Sequence, residues 1–403
     1  MRDNHPNHQP ASSEKMFQGK QRRVLFVTDF YVEEALEGIV NYARDADWEL
    51  IANMRFHGKF PSEAEADGIL ATASGERVQT WLQQWYGCPI VQMISAEPKL
   101  NSPIVTPDYT EAARIGVAHL LELGHVHFAF YWLEKLESTA SAIKIFDGVL
   151  EKAGRRTHHL DFPAAFPGEL SDVPREERFR WLVAELRRLP KPIAVMGDDD
   201  RRALEVLKAC DLAGLRVPED VAILGCDNRA IDLGLARIPL SSIDMNFRGV
   251  GWEAASRLDQ LMQGKSVPAE MVHVTPNGVV ARRSTATFVT DSPAITAAVL
   301  HLREHFDQPL RLAKLAGVAH LSERVFEMEF KRHVGCTVRD ELRRVRLAAA
   351  ERLLRDTDFK LEAIAMESGF GSARRLCAVF GEAHGVSPNV WRQKAGRIVE
   401  AAD

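Results

Sequence analysis

Cysteine is scarce in this chain and scattered where it occurs. Cys88, Cys210, Cys226, Cys336 and Cys377 are five among 403 residues, and no two form a C-x-x-C pair. An odd, widely spaced set argues against a disulfide framework or a cysteine zinc site and suits a reduced cytoplasm. Long apolar runs are also missing, and none approaches the roughly 20 residues that cross a bilayer. The opening MRDNHPNHQPASSEKMFQGKQRR is polar and lacks the apolar core of a secretory signal. Residues 1–21 therefore read as a disordered tail, with Met16 as a second candidate start. No G-x-S-x-G, H-E-x-x-H or Walker motif occurs. Adjacent His158 and His159 point apart in any regular element, so neither a metal nor a cofactor is expected.

Neither sign of charge dominates: 51 Lys and Arg against 56 Asp and Glu give a net charge of −5. The mean hides an asymmetry, because residues 291–395 hold 17 basic against 14 acidic side chains. The remainder is correspondingly acidic. With 46% hydrophobic and 27% charged residues, the chain is long and apolar enough for two or three globular units.

From residue 22 short β-rich runs alternate with amphipathic helices. RRVLFVT, ADGILAT, CPIVQMI, SPIVTPD, VHFAFYW, PIAVMGD and DVAILGCD read as strands. VEEALEGIVNYARDA, EAARIGVAHLLELG, FDGVLEKAG, REERFRWLVAELRRLP and RRALEVLKACDLAG read as helices. Strand and helix in strict turn predict parallel sheets covered by helices on both faces. The block runs over 22–285, too long for one small sheet, and predicts two α/β lobes with a cleft between them. TATFVTDSPAIT marks a linker at 286–292, after which 293–395 read as helix throughout, with a tail at 396–403. The fold class is α/β followed by all-α.

In the helical region a single pattern occurs twice, as LAKLAGVAHLSERVFEMEFKRHVG and LEAIAMESGFGSARRLCAVFGEAHG. Each copy is a short apolar helix, a tight turn, and a second helix opened by a serine N-cap, Ser322 or Ser372. Each second helix stops at a glycine, Gly335 or Gly385. The glycines of ESGFGSARR do not form a phosphate loop, since LEAIAMES before them is helical rather than a strand. Gly369 supplies a left-handed turn and Phe370 a core plug. This is a helix-turn-helix pair, whose second helices enter DNA major grooves.

IAMESGFGSARRLCAVFGEAHGVSPNVWR resembles the signature of AraC/XylS-type transcription regulators, through Ile364, Ala365, Gly369, Phe370, Ser372, Phe380, Gly385, Pro388, Trp391 and Arg392. The resemblance extends over 293–395 and implies binding of double-stranded operator DNA. It departs at Leu376, at Gly381 and at Met328, and Glu323, Glu327 and Glu329 make the first reading helix acidic. Acidic groups repel phosphate, although a Glu can accept from a cytosine amino group. Ser322, Arg324, Lys331, Ser372, Arg374 and Arg375 are the candidate DNA contacts, the last two foremost. For Arg343 and Arg344 phosphate contact and structural pairing remain equal readings.

GDDDRRALEVLKACDLAGLRVPEDVAILGCDN and PLSSIDMNFRGVGWEAASRLDQLMQGK resemble the effector domain of LacI/GalR regulators, with VTPDYTEAARIGVAHLLELGHVHFAFY matching upstream. Asp200, Ala203, Pro218, Gly225, Asp227, Asn228, Ser242 and Gly251 fit that pattern. A sensor of this kind ahead of an AraC-type reader resembles one small group, the xylose operon regulatory proteins. What the resemblance implies is a homodimeric, non-enzymatic regulator of carbohydrate genes that senses a sugar such as xylose in the cleft, outside any membrane. Asp108, Asp199 and Asp227 at strand ends are the candidate polar ligand contacts, and Tyr31 and Trp132 the aromatic ones. Asp200 is expected to cap the following helix instead. Ala142 stands where many such sensors carry an arginine for the ligand. Two alternatives stay open: an AraC-type regulator answering to a non-sugar molecule or to none, and an enzyme with an amidotransferase-like α/β domain. Cys88 and Cys226 are poor nucleophile candidates for the latter, lacking a strand-helix elbow and an evident His partner respectively.

Overall fold

The computed structural model describes residues 21–396 apart from 63–64, 73–74, 86, 95–99, 135–136 and 169. The expected tails at 1–21 and 396–403 lie almost wholly outside the described residues. Among the described residues there are twelve strands: β1 (Arg22–Thr28), β2 (Trp48–Ile51), β3 (Gly68–Thr72), β4 (Ile90–Met93), β5 (Ile104–Pro107), β6 (Phe128–Trp132), β7 (Thr157–Asp161), β8 (Ile193–Gly197), β9 (Val221–Asp227), β10 (Ser241–Asp244), β11 (Met271–Val274) and β12 (Gly278–Val280). They make two six-stranded sheets in the orders β11-β5-β4-β3-β1-β2 and β12-β10-β9-β8-β6-β7. The chain divides into one compact unit of residues 1–106 with 250–272 and another of 107–249 with 273–403.

In the first unit β1 lies parallel to β2 and β3, and β3 parallel to β4. All of GILAT in β3 and the last five residues of β1 are buried, as expected of strands covered on both faces. Asp29, Phe30 and Tyr31 follow the carboxyl end of β1. Asp29 accepts the Gly75 N–H at 2.7 Å, which ties the start of the helix Glu76–Leu82 to that end.

The second unit carries the other sheet and the helical domain. Its strands run parallel except β12, which closes the edge antiparallel to β10. The register sets Trp132 beside Asp161, Tyr131 beside Gly197 and Asp227 beside Asp244. The carboxyl ends of five strands thus bring their side chains to one edge of the sheet, where open parallel sheets bind ligands.

The helical domain begins with Pro293–Glu304. Two helix-turn-helix units follow, Leu312–Val318 with Glu323–Val334, and Leu361–Glu367 with Ala373–His384. Val338–Asp356 connects them and Pro388–Gly396 ends the domain. Each unit owns a small core. Phe326 and Phe330 pack with Leu315, Ile295 and Leu302 in the first, and Phe370, Leu376 and Phe380 pack with Ile364 and Leu354 in the second. Gly369 has φ +76°, and a Cβ there would stand 2.5 Å from the Phe306 carbonyl, so the turn admits only glycine. Arg346 holds the 306–308 segment that packs against this turn, donating to the Phe306 and Gln308 carbonyls at 2.8 and 3.0 Å.

Two separate cores give a local test. Phe380→Ala is expected to cost about 3–5 kcal/mol and to raise hydrogen exchange across 361–384 while β6, β8 and β9 stay protected. Equal loss of protection in the sheet would contradict independent cores.

Candidate functional site

Three consecutive aspartates close β8, and the structure gives them three different tasks. Asp199 is the N-cap of the helix Asp200–Ala213, accepting the Arg202 N–H at 2.8 Å on Oδ1. Its Oδ2 accepts from the Arg201 guanidinium at 2.7 and 2.9 Å. The capping role expected of Asp200 therefore belongs to Asp199. The reason is geometric: Asp199 is the residue with extended φ and ψ just ahead of the first helical turn.

Asp200 is only 1% exposed and turns into the sheet. Its Oδ1 accepts the Ser242 hydroxyl at 2.5 Å and its Oδ2 the Arg229 N–H at 2.9 Å. A Cβ on residue 225 would lie 2.2 Å from Oδ1, which explains the glycine in GCDN. Burial pushes the Asp200 carboxyl up to about 7 against the pull of both hydrogen bonds.

Asp198 was passed over in the sequence, yet its Oδ1 is buried with no hydrogen-bond partner among the described residues. Burial, helped by the neighbouring Asp199 charge, raises its carboxyl to about 7. An unpaired buried oxygen of this kind is costly unless water or ligand completes it. Asp227 ends β9 with φ +105° and Asn228 follows with φ +58°, two non-glycine residues in the left-handed region. Strain of that kind concentrates at working sites. Burial, then Asp200 and Asp199, raises the Asp227 carboxyl well above the usual carboxylate range. Carboxyls held near neutrality at one edge both donate to and accept from hydroxyl groups, and their number disfavours an anionic ligand.

Asp108 is the N-cap of Tyr109–Glu122 and accepts the Glu111 N–H at 2.9 Å on Oδ1. Trp132 is 5% exposed, with its ring set edge-on against His159 at 5.7 Å and tilted against Phe130 at 6.0 Å. Its indole is a core group rather than an open stacking face. Tyr31 is half-buried and belongs to the first unit, next to the more exposed Phe30. Ala142 lies half-buried on Glu137–Lys152, and Lys144 on the same helix is exposed. Burial raises the thiols of Cys88 to about 11 and of Cys226 well above its ordinary value, which removes the thiolate a nucleophile needs. Among the described residues no group of three His, Cys, Asp or Glu could hold a metal. No helix among them is long and apolar enough to cross a membrane.

In the helical domain Ser372 caps its reading helix, accepting the Arg375 N–H at 3.4 Å. Ser322 occupies the same position without a capping bond, a correction to the symmetry read from the sequence. Arg324, Lys331, Arg374 and Arg375 are all exposed, on faces opposite Phe326, Phe330, Leu376 and Phe380. Val325 and Met328 are also exposed on the first helix, by 38% and 62%. Arg332 and His333 draw on Glu329 at 3.7 and 3.4 Å, which partly cancels that acid. Two arginines of the connecting helix hold acidic partners: Arg343 pairs with Glu382 at 2.7 Å, and Arg344 with Glu341 and Glu122, each at 2.9 Å.

Comparison with known proteins agrees with this division. Residues 117–285 match the model of a periplasmic binding protein-like domain, and residues 315–394 that of a helix-turn-helix domain. The chain is 23% identical to the xylose operon regulatory protein of Haemophilus influenzae, over 90% of this chain and 95% of that one. It is 24% identical to the protein of the same name in Escherichia coli K12, over 92% and 95%. Among solved structures, a xylose-binding transcription activator aligns over 93% of this chain and 98% of its own with a TM-score of 0.57 and 23% identity. A probable maltose operon transcriptional repressor from Staphylococcus aligns over 66% of this chain and 99% of its own with a TM-score of 0.52 and 17% identity. The two-domain architecture, with the sensor-like α/β region first and the helix-turn-helix region second, is thus shared along nearly the whole chain.

The raised carboxyls carry a pH signature. Asp198 and Asp200 sit near 7 in the folded protein, against about 3.9 for a free side chain. The folded state therefore holds protons that the unfolded chain has released between those values. The stability these groups contribute is complete below about pH 4 and is lost as pH rises through 7. Asp198→Asn should shrink the fall in urea midpoint between pH 5 and pH 8, and an unchanged fall would contradict the buried state of its carboxyl.

Proposed function

We propose that the chain is a sugar-responsive transcription regulator that binds double-stranded operator DNA and a free neutral sugar, with a pentose such as xylose as first choice. The relatives that match it from end to end are named as xylose operon regulators. The observation that supports the ligand class is the carboxyl edge of the second sheet, where Asp198 Oδ1 is buried without a partner among the described residues and burial disfavours the charged forms of Asp198 and Asp227. A phosphorylated sugar would need cations there, and Arg201 is already bound to Asp199. Asp227 and Asp198 contact hydroxyls, Asp199 shapes the edge as a cap, and Asp108 and Tyr31 remain secondary candidates. Ala142, in place of an arginine, favours a second reading within the same class, another neutral polyhydroxy compound in place of xylose.

On the DNA side Arg374 and Arg375 make the main contacts, with Ser372 at the helix start. Arg324 and Lys331 supply the first helix, whose charge Glu323 and Glu327 reduce. The regulator acts in the cytoplasm as a homodimer without a catalytic centre. Ligand shifts the populations of two sensor conformations according to its relative affinity for each.

Thermal shift against D-xylose, other pentoses, hexoses and their phosphates tests the sensor, since a ligand of the native state raises Tm by mass action. A rise with a free sugar, lost in Asp227→Ala, is the expected result. A response to phosphates alone, or one intact in Asp227→Ala, would contradict the assignment. Arg374→Ala should weaken operator binding by about 1–3 kcal/mol without altering sugar affinity, as fluorescence anisotropy would read; unchanged DNA affinity would remove Arg374 from the interface.

A further inference from the structure

The side of the second sheet that leads into the helical domain is polar inside. Ser241, Ser242, Ser284, Thr285 and Thr287 are all buried there, between 0% and 7% exposed. Buried hydroxyls are retained where they are bonded to one another, and such networks hold a fixed arrangement that changes as a unit. Here they form a connected path between the end of β9 and the DNA-binding domain.

The path starts at Asn228, next to Asp227 on the strained turn. The Asn228 N–H donates to Ser242 Oγ at 3.0 Å, and that hydroxyl donates to Asp200. The Asn228 side-chain oxygen accepts Arg282 Nη2 at 2.8 Å, while Arg282 Nη1 donates to the Leu240 carbonyl at 2.8 Å. The Arg282 backbone is locked in turn: its N–H donates to Ser241 Oγ at 2.7 Å, and its carbonyl accepts from the same hydroxyl at 3.1 Å. Ser241 Oγ also meets Thr285 Oγ1 at 2.7 Å, and Thr285 meets His119 Nε2 at 3.1 Å.

From Thr285 the chain runs into the DNA-binding domain without slack. The Thr287 carbonyl accepts Arg303 Nη1 at 3.3 Å, and the Arg303 guanidinium lies 4.9 Å over the Phe288 ring. The Val289 N–H donates to the Leu123 carbonyl at 2.7 Å, so close to Gly124 that a Cβ there would stand 2.1 Å from the Val289 carbonyl. Arg303 is bound to Glu341 at 3.0 Å, Glu341 to Arg344 at 2.9 Å, and Arg344 back to Glu122 of the sensor at 2.9 Å. The residues read as a linker are therefore bolted at both ends.

We infer that Arg282 is the positioning residue that reports the state of the β9 end, through Asn228, to the DNA-binding domain. This rests on the proposed ligand site only for what moves Asn228. A ligand engaging Asp227 relaxes or tightens the adjoining turn, which alters the Asn228–Arg282 bond. The backbone of 282–289 follows, and with it the Arg303–Glu341 anchor of the first helix-turn-helix unit.

The test uses the full chain with Arg282→Gln, Asn228→Gly and Asn228→Asp, the last keeping the acceptor. Asn228→Gly suits the left-handed backbone, so it removes the amide without strain. Hydrogen exchange without any sugar is read at Ser284, Thr287 and Val289, whose amides are bonded to Pro239, Thr285 and Leu123. Arg282→Gln and Asn228→Gly should both speed exchange at all three, and Asn228→Asp should not. Exchange changed only at 227–229 in Asn228→Gly would overturn the relay, whatever the effector is. Operator affinity with and without saturating D-xylose gives the second readout, where site coupling is typically about 5–150-fold. Loss of that factor in Arg282→Gln with sugar affinity retained supports the relay, and a factor equal to wild type overturns it. A wild-type chain that binds no D-xylose would refute the effector proposed above, and the exchange result would still decide the relay.

Discussion

The buried carboxyl of Asp200 fixes the carboxyl ends of three adjacent strands. It stands at the end of β8, takes its hydrogen bonds from the turn after β9 and from Ser242 in β10, and sits against Gly225 in β9. Because it is held there, Asp199 is left to cap the helix, Asp198 is left with an open oxygen, and Asp227 with Asn228 is bent into a left-handed turn. The proposed ligand edge is thus not a set of independent side chains. It is the outer surface of one internal hydrogen-bond cluster, whose inner surface faces the path toward the DNA-binding domain.

That arrangement explains how a single sheet can serve two tasks. Carboxyls raised toward neutrality present paired donors and acceptors to a hydroxylated ligand without the repulsion that several full charges would cause. Hydroxyls on the other side of Asp200 are buried and bonded to one another and to the backbone. In the helical domain the logic reverses. The cores are apolar and small, and the polar groups lie outside, with arginines on the second reading helix and mixed charges on the first. In the proposed function, sequence-independent attraction to DNA falls chiefly to the second helix, and the exposed Val325 and Met328 offer the first an apolar surface for base edges such as thymine methyls.

Much of the fold was legible in the sequence because the central strands are covered on both faces and read as unbroken apolar runs. The strands that went unread are four at the sheet edges and the four-residue β10 inside its sheet. THHLD of β7 is partly exposed, and β2, β11 and β12 are short edge strands whose patterning is weak. The helical domain was legible nearly residue by residue, since Phe326, Phe330, Phe370 and Phe380 recur at the spacing that builds its cores. The site was only half legible. Three successive aspartates announce a strand end, but spacing cannot say which caps, which is buried and which stays open. The side of β6 to which Trp132 turns, and the absence of a capping bond at Ser322, depend on packing. Arg282 carries no motif at all, and its role rests on partners 42 and 54 residues away.

In the proposed function one chain couples a neutral sugar to the recognition of a DNA sequence. Selection of binding sites from a random double-stranded library, run on the full chain with and without D-xylose, addresses both halves at once. The account predicts an enriched motif with two half-sites about 34 Å or a multiple apart, whose occupancy changes with the sugar. Enrichment of no motif, or of a motif bound equally in both conditions across the free sugars, would contradict it.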